Sequence, residues 1–142
     1  MKESGISRLC DMVRECSFAL HNHLRHGHLE KVYENGLVHR LRKLDLSDGQ
    51  QITVPVYDDG GTILGDLHAD LLVSEDRIVE LKGAFAICGD YLGQLIGYFR
   101  SSRKRDGLLI NFGNPRLYIQ RYALDPIQLI FVLFCAISWQ KN

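Results

Sequence analysis

The chain has 142 residues, enough for one compact domain with its own hydrophobic core and too few for two. Hydrophobic residues make up 46% and charged residues 24%, a balance that is typical of globular proteins and excludes a disordered or fibrous chain. Seventeen Lys and Arg residues balance seventeen Asp and Glu residues, so the net charge is zero. Any binding to nucleic acid must therefore depend on a local basic patch.

Cysteine usage and hydropathy indicate the cellular compartment of the protein. The four cysteines are Cys10, Cys16, Cys88 and Cys135. They include no CxxC pair, which predicts reduced structural thiols and neither a zinc site nor a disulfide framework. The N-terminal residues have no apolar core of the kind that a secretory signal needs, and the apolar run at residues 129–137 is too short for a membrane span. We therefore expect a cytoplasmic protein with no membrane segment.

Two amphipathic helices are predicted at the start of the chain. Apolar residues recur at spacings of three and four from about residue 5 to about 26, and Gly27 is placed to end this helix. The same period continues from Leu29 to Leu44 through a stretch without proline. This pattern predicts a second helix whose apolar face packs on the first.

The pattern changes after the second helix to the alternation that is typical of strands. Three strands, one helix and two further strands are predicted, at residues 50–57, 62–73, 77–82, 90–101, 108–112 and 117–122. A terminal helix is expected after Pro126. The order ααβββαββ, followed by this helix, predicts an α/β domain with a mixed five-stranded sheet flanked by helices.

The three-residue turn after Val73 fixes the pairing of the strands on either side. Such a turn pairs Val73 with Arg77, and counting outward from that pair places Asp70 opposite Glu80. Facing side chains on antiparallel strands have Cβ atoms about 4.5–5.5 Å apart, so two facing carboxylates are destabilising without a compensating cation. Lys82 lies two residues after Glu80 and therefore on the same face.

Two carboxylates and an ammonium group on one patch suit a metal-dependent phosphodiesterase. Mg²⁺ is bound by few hard oxygen ligands and keeps positions for water and phosphate, a need that Asp70 and Glu80 meet. The metal lowers the pKa of a bound water, and Lys82 is placed to orient that water and to stabilise charge on the phosphate. The alternative is a salt-bridged strand pair on a solvated sheet face, because this spacing also occurs by chance.

The wider sequence resembles the PD-(D/E)XK nuclease superfamily, whose core is restriction-endonuclease-like. The resemblance is carried by Asp70, by Glu80-Leu81-Lys82 in a hairpin, and by the helix that follows. In that helix, Gln94 and Tyr98 match the QxxxY motif of the RecB-like branch. Residues four apart share a helix face, so both side chains can reach one cleft.

A narrower resemblance is to the GxxExxY family, named after the pattern that Gly27, Glu30 and Tyr33 match here. It covers about residues 5–124 and implies a complete site for Mg²⁺ or Mn²⁺. The implied metal ligands are Glu30, Asp70, Glu80 and, through its carbonyl, Leu81. The implied catalytic residues are Lys82, Gln94 and Tyr98. For Glu30 the alternative is an ordinary glutamate in the first turn of a helix, where an anion is favourable.

Two further groups of side chains bear on binding. The basic residues that close the third helix are Arg100, Arg103, Lys104 and Arg105. They predict a patch that contacts phosphates, or else solvated residues that are favourable at a helix C-terminus. The histidines around the first helix junction are His21, His23, His26 and His28. Their spacing fits no standard metal site, so we interpret them as cationic or hydrogen-bonding groups near a helix C-terminus.

One departure from the family bears on catalysis. Tyr91 stands three residues before Gln94, where we expect relatives to carry His. If that His assists the reaction, the substitution favours a fold that has weak or lost activity.

The sequence as a whole indicates a metal-dependent nuclease, with DNA preferred to RNA as the substrate by analogy with the superfamily. The alternatives are a non-catalytic nucleic-acid-binding module and a protein-interaction module that retains the fold. Residues 127–139 lie beyond the resemblance and are apolar nearly all round, which predicts burial in a homodimer interface or on the domain itself.

Overall fold

The computed structural model describes residues 2–74, 77–85, 89–104, 106–124 and 130–133. The helices are α1 (Lys2–Leu24), α2 (Glu30–Arg42) and α3 (Gly89–Ser102). The strands are β1 (Ser47–Tyr57), β2 (Ile63–Val73), β3 (Arg77–Lys82), β4 (Asp106–Asn111), β5 (Tyr118–Leu124) and β6 (Ile130–Leu133). The predicted order ααβββαββ is confirmed, and one further strand follows it.

The described strands form a single mixed sheet in the order β1-β2-β3-β4-β5-β6. Neighbouring strands are antiparallel except β3 and β4, which are parallel. Parallel neighbours need a crossover connection, and α3 supplies it. The predicted mixed sheet flanked by helices is therefore confirmed.

Helices cover both faces of the sheet and create two hydrophobic clusters. Val13 of α1 and Leu37 of α2 pack with strand residues such as Leu71 on one face. On the other face, Leu95 and Phe99 of α3 belong to the second cluster. Each fully buried Leu or Phe contributes about 1.5–3 kcal/mol of transfer free energy, so these clusters hold the central strand β3 between two layers of helices.

The first helix ends slightly earlier than the sequence predicts. Arg25 adopts a left-handed φ of 61°, and its N–H donates to the carbonyl of His21 at 2.8 Å. This closes α1 at Leu24. Gly27 has a φ of 109°, in the region that favours glycine, and lies within the connection to α2.

The predicted terminal helix is wrong for residues 130–133, which form β6. This strand pairs with β5 and places Val132 opposite Tyr122. A short apolar run has no period that separates helix from strand, and the open edge of β5 offers main-chain hydrogen-bonding groups to β-branched and aromatic residues. The described sheet consequently has six strands and not five.

The rest of residues 127–139 lies outside the described residues, as do Glu75 and Asp76 of the predicted turn. The expected homodimer through this segment therefore stays a prediction. In the described part of the chain, no helix has the length and apolar character to cross a membrane.

Candidate active site

The carboxylates of Asp70 and Glu80 lie where the main-chain pairing of β2 and β3 ends. The predicted pairing of Val73 with Arg77 is confirmed, and it continues as far as Leu71 and Val79, one step short of Asp70 and Glu80. Beyond that pair, the N–H of Asp70 donates to Glu80 Oε1 at 3.1 Å, and the N–H of Leu81 donates to Asp70 Oδ2 at 2.8 Å. Each carboxylate thus accepts a main-chain bond from the opposite strand, which holds the two acids next to each other.

Burial makes it unfavourable for these two acids to be ionised together. Glu80 is 1% exposed. Burial and then the charge of Asp70 raise the pKa of Glu80 to about 8. Burial likewise raises the pKa of Asp70 to about 6, although the Leu81 N–H acts in the opposite direction. The charges of Glu34 and Glu30 add to the increase at Asp70. A nearby cation would favour the ionised form of both acids.

Lys82 supplies an ammonium group beside this acidic pair. Its Nζ lies 3.9 Å from Glu80 Oε2 and donates a hydrogen bond of 2.9 Å to Gln94 Oε1. The ammonium also lies 4.8 Å from the centroid of the Tyr91 ring, within the range of a cation–π contact. Strand β3 and helix α3 therefore hold the lysine between them.

Gln94 and Tyr98 continue the hydrogen bonds that begin at Lys82. Gln94 Nε2 donates to the Tyr98 hydroxyl at 2.8 Å, and that hydroxyl donates to the carbonyl of His68 on β2. Burial and then the charge of Glu80 raise the pKa of Tyr98. The structure thus brings both residues of the predicted QxxxY pair to Lys82 and the acids.

Glu30 reaches the site from the first turn of α2. Its Oε2 accepts the N–H of Gly83 at 3.2 Å, one residue after Lys82. The backbone of Glu30 lies so close to Gly83 that a Cβ on Gly83 would be 3.5 Å from it. Helix α2 therefore begins directly against the end of β3 and brings a third carboxylate to the edge of the site.

Tyr33 holds the connection that leads into α2. Its hydroxyl donates to the carbonyl of Arg25 at 2.5 Å and accepts the N–H of His28 at 3.2 Å. Its ring stacks on Phe112 with the centroids 4.8 Å apart. Tyr33 is fully buried, so it fixes the approach to Glu30 through packing and hydrogen bonds.

The histidines near this connection make hydrogen bonds to carbonyl groups. His21 Nε2 donates to the carbonyl of Asn114 at 2.9 Å, and His28 Nε2 donates to that of Leu24 at 3.2 Å. These contacts agree with the hydrogen-bonding interpretation for His21 and His28.

Comparison with known families matches residues 7–122 to a model described as the PD-(D/E)XK nuclease superfamily. The chain belongs to this superfamily. The matched range includes the acidic pair, Lys82 and the two α3 residues bonded to it. Membership in a nuclease superfamily implies a nucleic-acid substrate. Searches of curated proteins and of solved structures gave no match.

The superfamily implies a divalent metal, and the donor set fits one. Within the described parts of the chain, no three His, Cys, Asp or Glu side chains already surround a point that could hold a metal ion. Mg²⁺ is usually bound through only one or two carboxylates and keeps several waters, so a cage of side chains is not required. Asp70 and Glu80 offer hard oxygen donors whose mutual repulsion a cation relieves.

Glu34 is a buried acid behind this candidate site that the sequence did not single out. Glu34 is 3% exposed and accepts hydrogen bonds from Lys31, from Gln50 Nε2 at 2.5 Å and from Gln51 Nε2. Burial alone would raise its pKa, but these hydrogen bonds outweigh burial and lower it. The overlooked signal is that Glu34 lies four residues after Glu30, on the helix face that carries buried leucines.

The predicted phosphate-contacting residues lie at the other end of α3. Arg100 and Arg103 are exposed, Lys104 is half-buried, and Arg105 lies outside the described residues. Arg103 has a left-handed φ of 60° just after the helix ends. Nine residues separate Gln94 from Arg103, or about 13 Å along a helix axis. The basic group is therefore displaced along the helix from Lys82, and its role in binding stays a prediction.

Proposed function

We propose that this chain is a divalent-metal-dependent nuclease that hydrolyses phosphodiester bonds in DNA. The observation that carries the proposal is the buried Glu80 beside the half-buried Asp70, with Lys82 Nζ 3.9 Å from the Glu80 carboxylate. Two acids with raised pKa values beside a cationic side chain are characteristic of sites that bind metal and activate water.

In this proposal, Asp70, Glu80 and the carbonyl of Leu81 hold Mg²⁺ or Mn²⁺, and Glu30 is a further acidic ligand from α2. The metal supplies Lewis acidity and a water of lowered pKa. The contribution of the chain is to fix these oxygens. The Leu81 N–H holds Asp70 Oδ2 and the Asp70 N–H holds Glu80 Oε1, so the main chain fixes one oxygen of each carboxylate.

Lys82 is the proposed catalytic cation. Its ammonium orients the attacking water and stabilises the negative charge that develops on the phosphate. Gln94 accepts one N–H of Lys82 and donates to Tyr98, so the position of the ammonium is fixed by α3. A fixed donor needs little reorganisation during the reaction, which is the basis of its contribution to rate.

We propose DNA and not RNA as the substrate, by analogy with the superfamily and with the GxxExxY branch that Gly27, Glu30 and Tyr33 resemble. The net charge of zero leaves no overall attraction for a polyanion. The proposed backbone contacts are Arg100, Arg103, Lys104 and Arg105. Loss of these charges should weaken binding to all sequences equally.

A second proposal concerns assembly. Among the described residues, β6 lies at an edge of the sheet, and it belongs to the apolar segment 127–139. An open edge offers unpaired main-chain groups to a second copy of the chain. We propose a homodimer through this segment. Sedimentation at micromolar concentration should give twice the monomer mass, and a monomer would contradict it.

The function is tested by incubating the protein with linear and circular double-stranded DNA, single-stranded DNA and RNA, with Mn²⁺, Mg²⁺ or a chelator. We expect cleavage of DNA that requires the metal and is lost in Asp70→Ala. Asp66→Ala is the matched control, since Asp66 is an exposed residue of the same strand and should cleave as wild type does.

Equal residual cleavage in wild type and Asp70→Ala would contradict the nuclease proposal. Metal-independent binding of DNA without cleavage by any variant would instead favour the non-catalytic binding module.

A further inference from the structure

Gln51 lies within β1 in a backbone conformation that strands rarely contain. Its φ is 54°, in the left-handed region that only a few per cent of residues other than glycine adopt. The β1–β2 register pairs Gln50 with Leu71 and Ile52 with Ala69, and it omits Gln51 and Asp70 between them. Such a conformation costs about 1–3 kcal/mol and persists only where surrounding contacts determine it.

Near the position opposite Gln51, residues two apart on β2 pack on different sides of the sheet. Leu71 packs in the cluster beneath α1 and α2, whereas Ala69 packs in the cluster beneath α3. Residues two apart on a regular strand share a face, so the strand is irregular at Asp70, which lies between them. The irregularities of the two strands thus coincide at Gln51 and Asp70.

The side chain of Gln51 connects two carboxylates at this point. Its Nε2 donates to Asp70 Oδ1 at 3.2 Å and also to Glu34 Oε1. A carboxamide nitrogen carries two N–H donors, so it can serve both acceptors. Glu34 is in turn held by Lys31 and by Gln50 Nε2.

We propose that Gln51 is a positioning residue that sets the orientation of Asp70, with the buried carboxylate of Glu34 as its anchor. Asp70 Oδ2 is already held by the Leu81 N–H, and Gln51 holds Oδ1, so together they fix both oxygens of the carboxylate. Without Gln51, the carboxylate is held through one oxygen only and is free to tilt. The consequence for metal binding rests on the proposed function.

Partners that orient a metal ligand typically change metal affinity by 10–100-fold when they are removed. Gln51→Gly is the variant of choice, because glycine adopts a positive φ without strain and the substitution removes the side chain that carries the carboxamide. Gln50→Ala is the matched control, since Gln50 donates to Glu34 and Asn35 and has no hydrogen bond to Asp70. We expect the dissociation constant for Mn²⁺, measured by calorimetry, to rise at least tenfold in Gln51→Gly and less than threefold in Gln50→Ala.

The contact itself is tested in metal-free protein by NMR of the side-chain amide groups. Asp70→Asn should shift the Gln51 amide signals and leave those of Gln50 in place, whereas Glu34→Gln should shift both. Unmoved Gln51 signals in Asp70→Asn would overturn the proposal, and so would unchanged Mn²⁺ affinity in Gln51→Gly. A wild-type protein that shows the NMR coupling but neither binds Mn²⁺ nor cuts DNA supports the positioning contact and overturns the proposed function.

Discussion

The main-chain N–H of Asp70 donates a 3.1 Å hydrogen bond to the carboxylate of Glu80, which faces it across the end of the β2–β3 pair. This bond favours the ionised form of Glu80, but burial outweighs it and raises the pKa to about 8. The folded protein therefore keeps a proton on Glu80 at pH values where the unfolded chain has released it. Folding stability must then depend on pH in a defined direction.

The stability of the metal-free protein should fall as pH rises from about 5 to about 9. An unfolded glutamate has a pKa of about 4.3, so above that value the folded state binds more protons than the unfolded state. The stabilisation is complete below the unfolded pKa and is lost as pH rises through the folded pKa. Urea unfolding in chelator should show a loss on the order of 3–4 kcal/mol over this range. Glu80→Gln should remove the loss above about pH 7, where Asp70 has already ionised, and an unchanged slope there would contradict the assignment to Glu80.

The ring of Tyr91 should support the activity of Lys82 through its aromatic face. Tyr91→Phe keeps the ring over the ammonium and should retain activity close to wild type. Tyr91→Ala removes a contact worth about 0.5–1 kcal/mol and should slow cleavage about two- to fivefold. Single-turnover rates of cleavage measure the effect of each substitution. An equal loss in Tyr91→Phe and Tyr91→Ala would show that the hydroxyl matters and the ring does not.

Gly113 should be intolerant of substitution because the segment after Lys82 passes against it. A Cβ on Gly113 would lie 2.4 Å from the carbonyl oxygen of Ala84 and from the carbonyl carbon of Gly83. The buried amide of Asn111 fixes that segment by donating to the Ala84 carbonyl at 2.7 Å and accepting its N–H at 3.1 Å. These backbone atoms have little room to move.

Gly113→Ala should therefore lower the free energy of unfolding by about 1–3 kcal/mol, as overpacking in a tight site does. Gly93→Ala is the control, because Gly93 lies in α3 with open space around it and should gain up to about 1 kcal/mol from helix propensity. Denaturant unfolding measures the free energy of unfolding of both variants and of wild type. Equal stability of Gly113→Ala and wild type would show that the segment after Lys82 moves to accommodate the added methyl group.

The sequence predicts the acidic pair because local rules determine it. The turn after Val73 fixes the register with Arg77, and strand alternation then predicts Asp70, Glu80 and Lys82 on one face. The four-residue spacing of the QxxxY pair likewise follows from one helix.

Other parts of the site depend on contacts that no local pattern encodes. The left-handed conformation of Gln51 and its bonds to Glu34 and Asp70 arise only when α2, β1 and β2 pack together. Strand β6 was missed for a related reason, since the open edge of β5 decides the conformation of an apolar run that suits either helix or strand.

The proposed hydrolysis of phosphodiester bonds by Lys82 and the acidic pair is tested most directly by the single-turnover rate of DNA cleavage in Mn²⁺ for wild type and Lys82→Ala. Removal of one group that stabilises transition-state charge typically costs about 10²–10³ in rate. We predict a loss of that size in Lys82→Ala and none in Lys43→Ala, which removes an exposed lysine at the end of α2. Cleavage at the same rate by wild type and Lys82→Ala would contradict the catalytic role of Lys82.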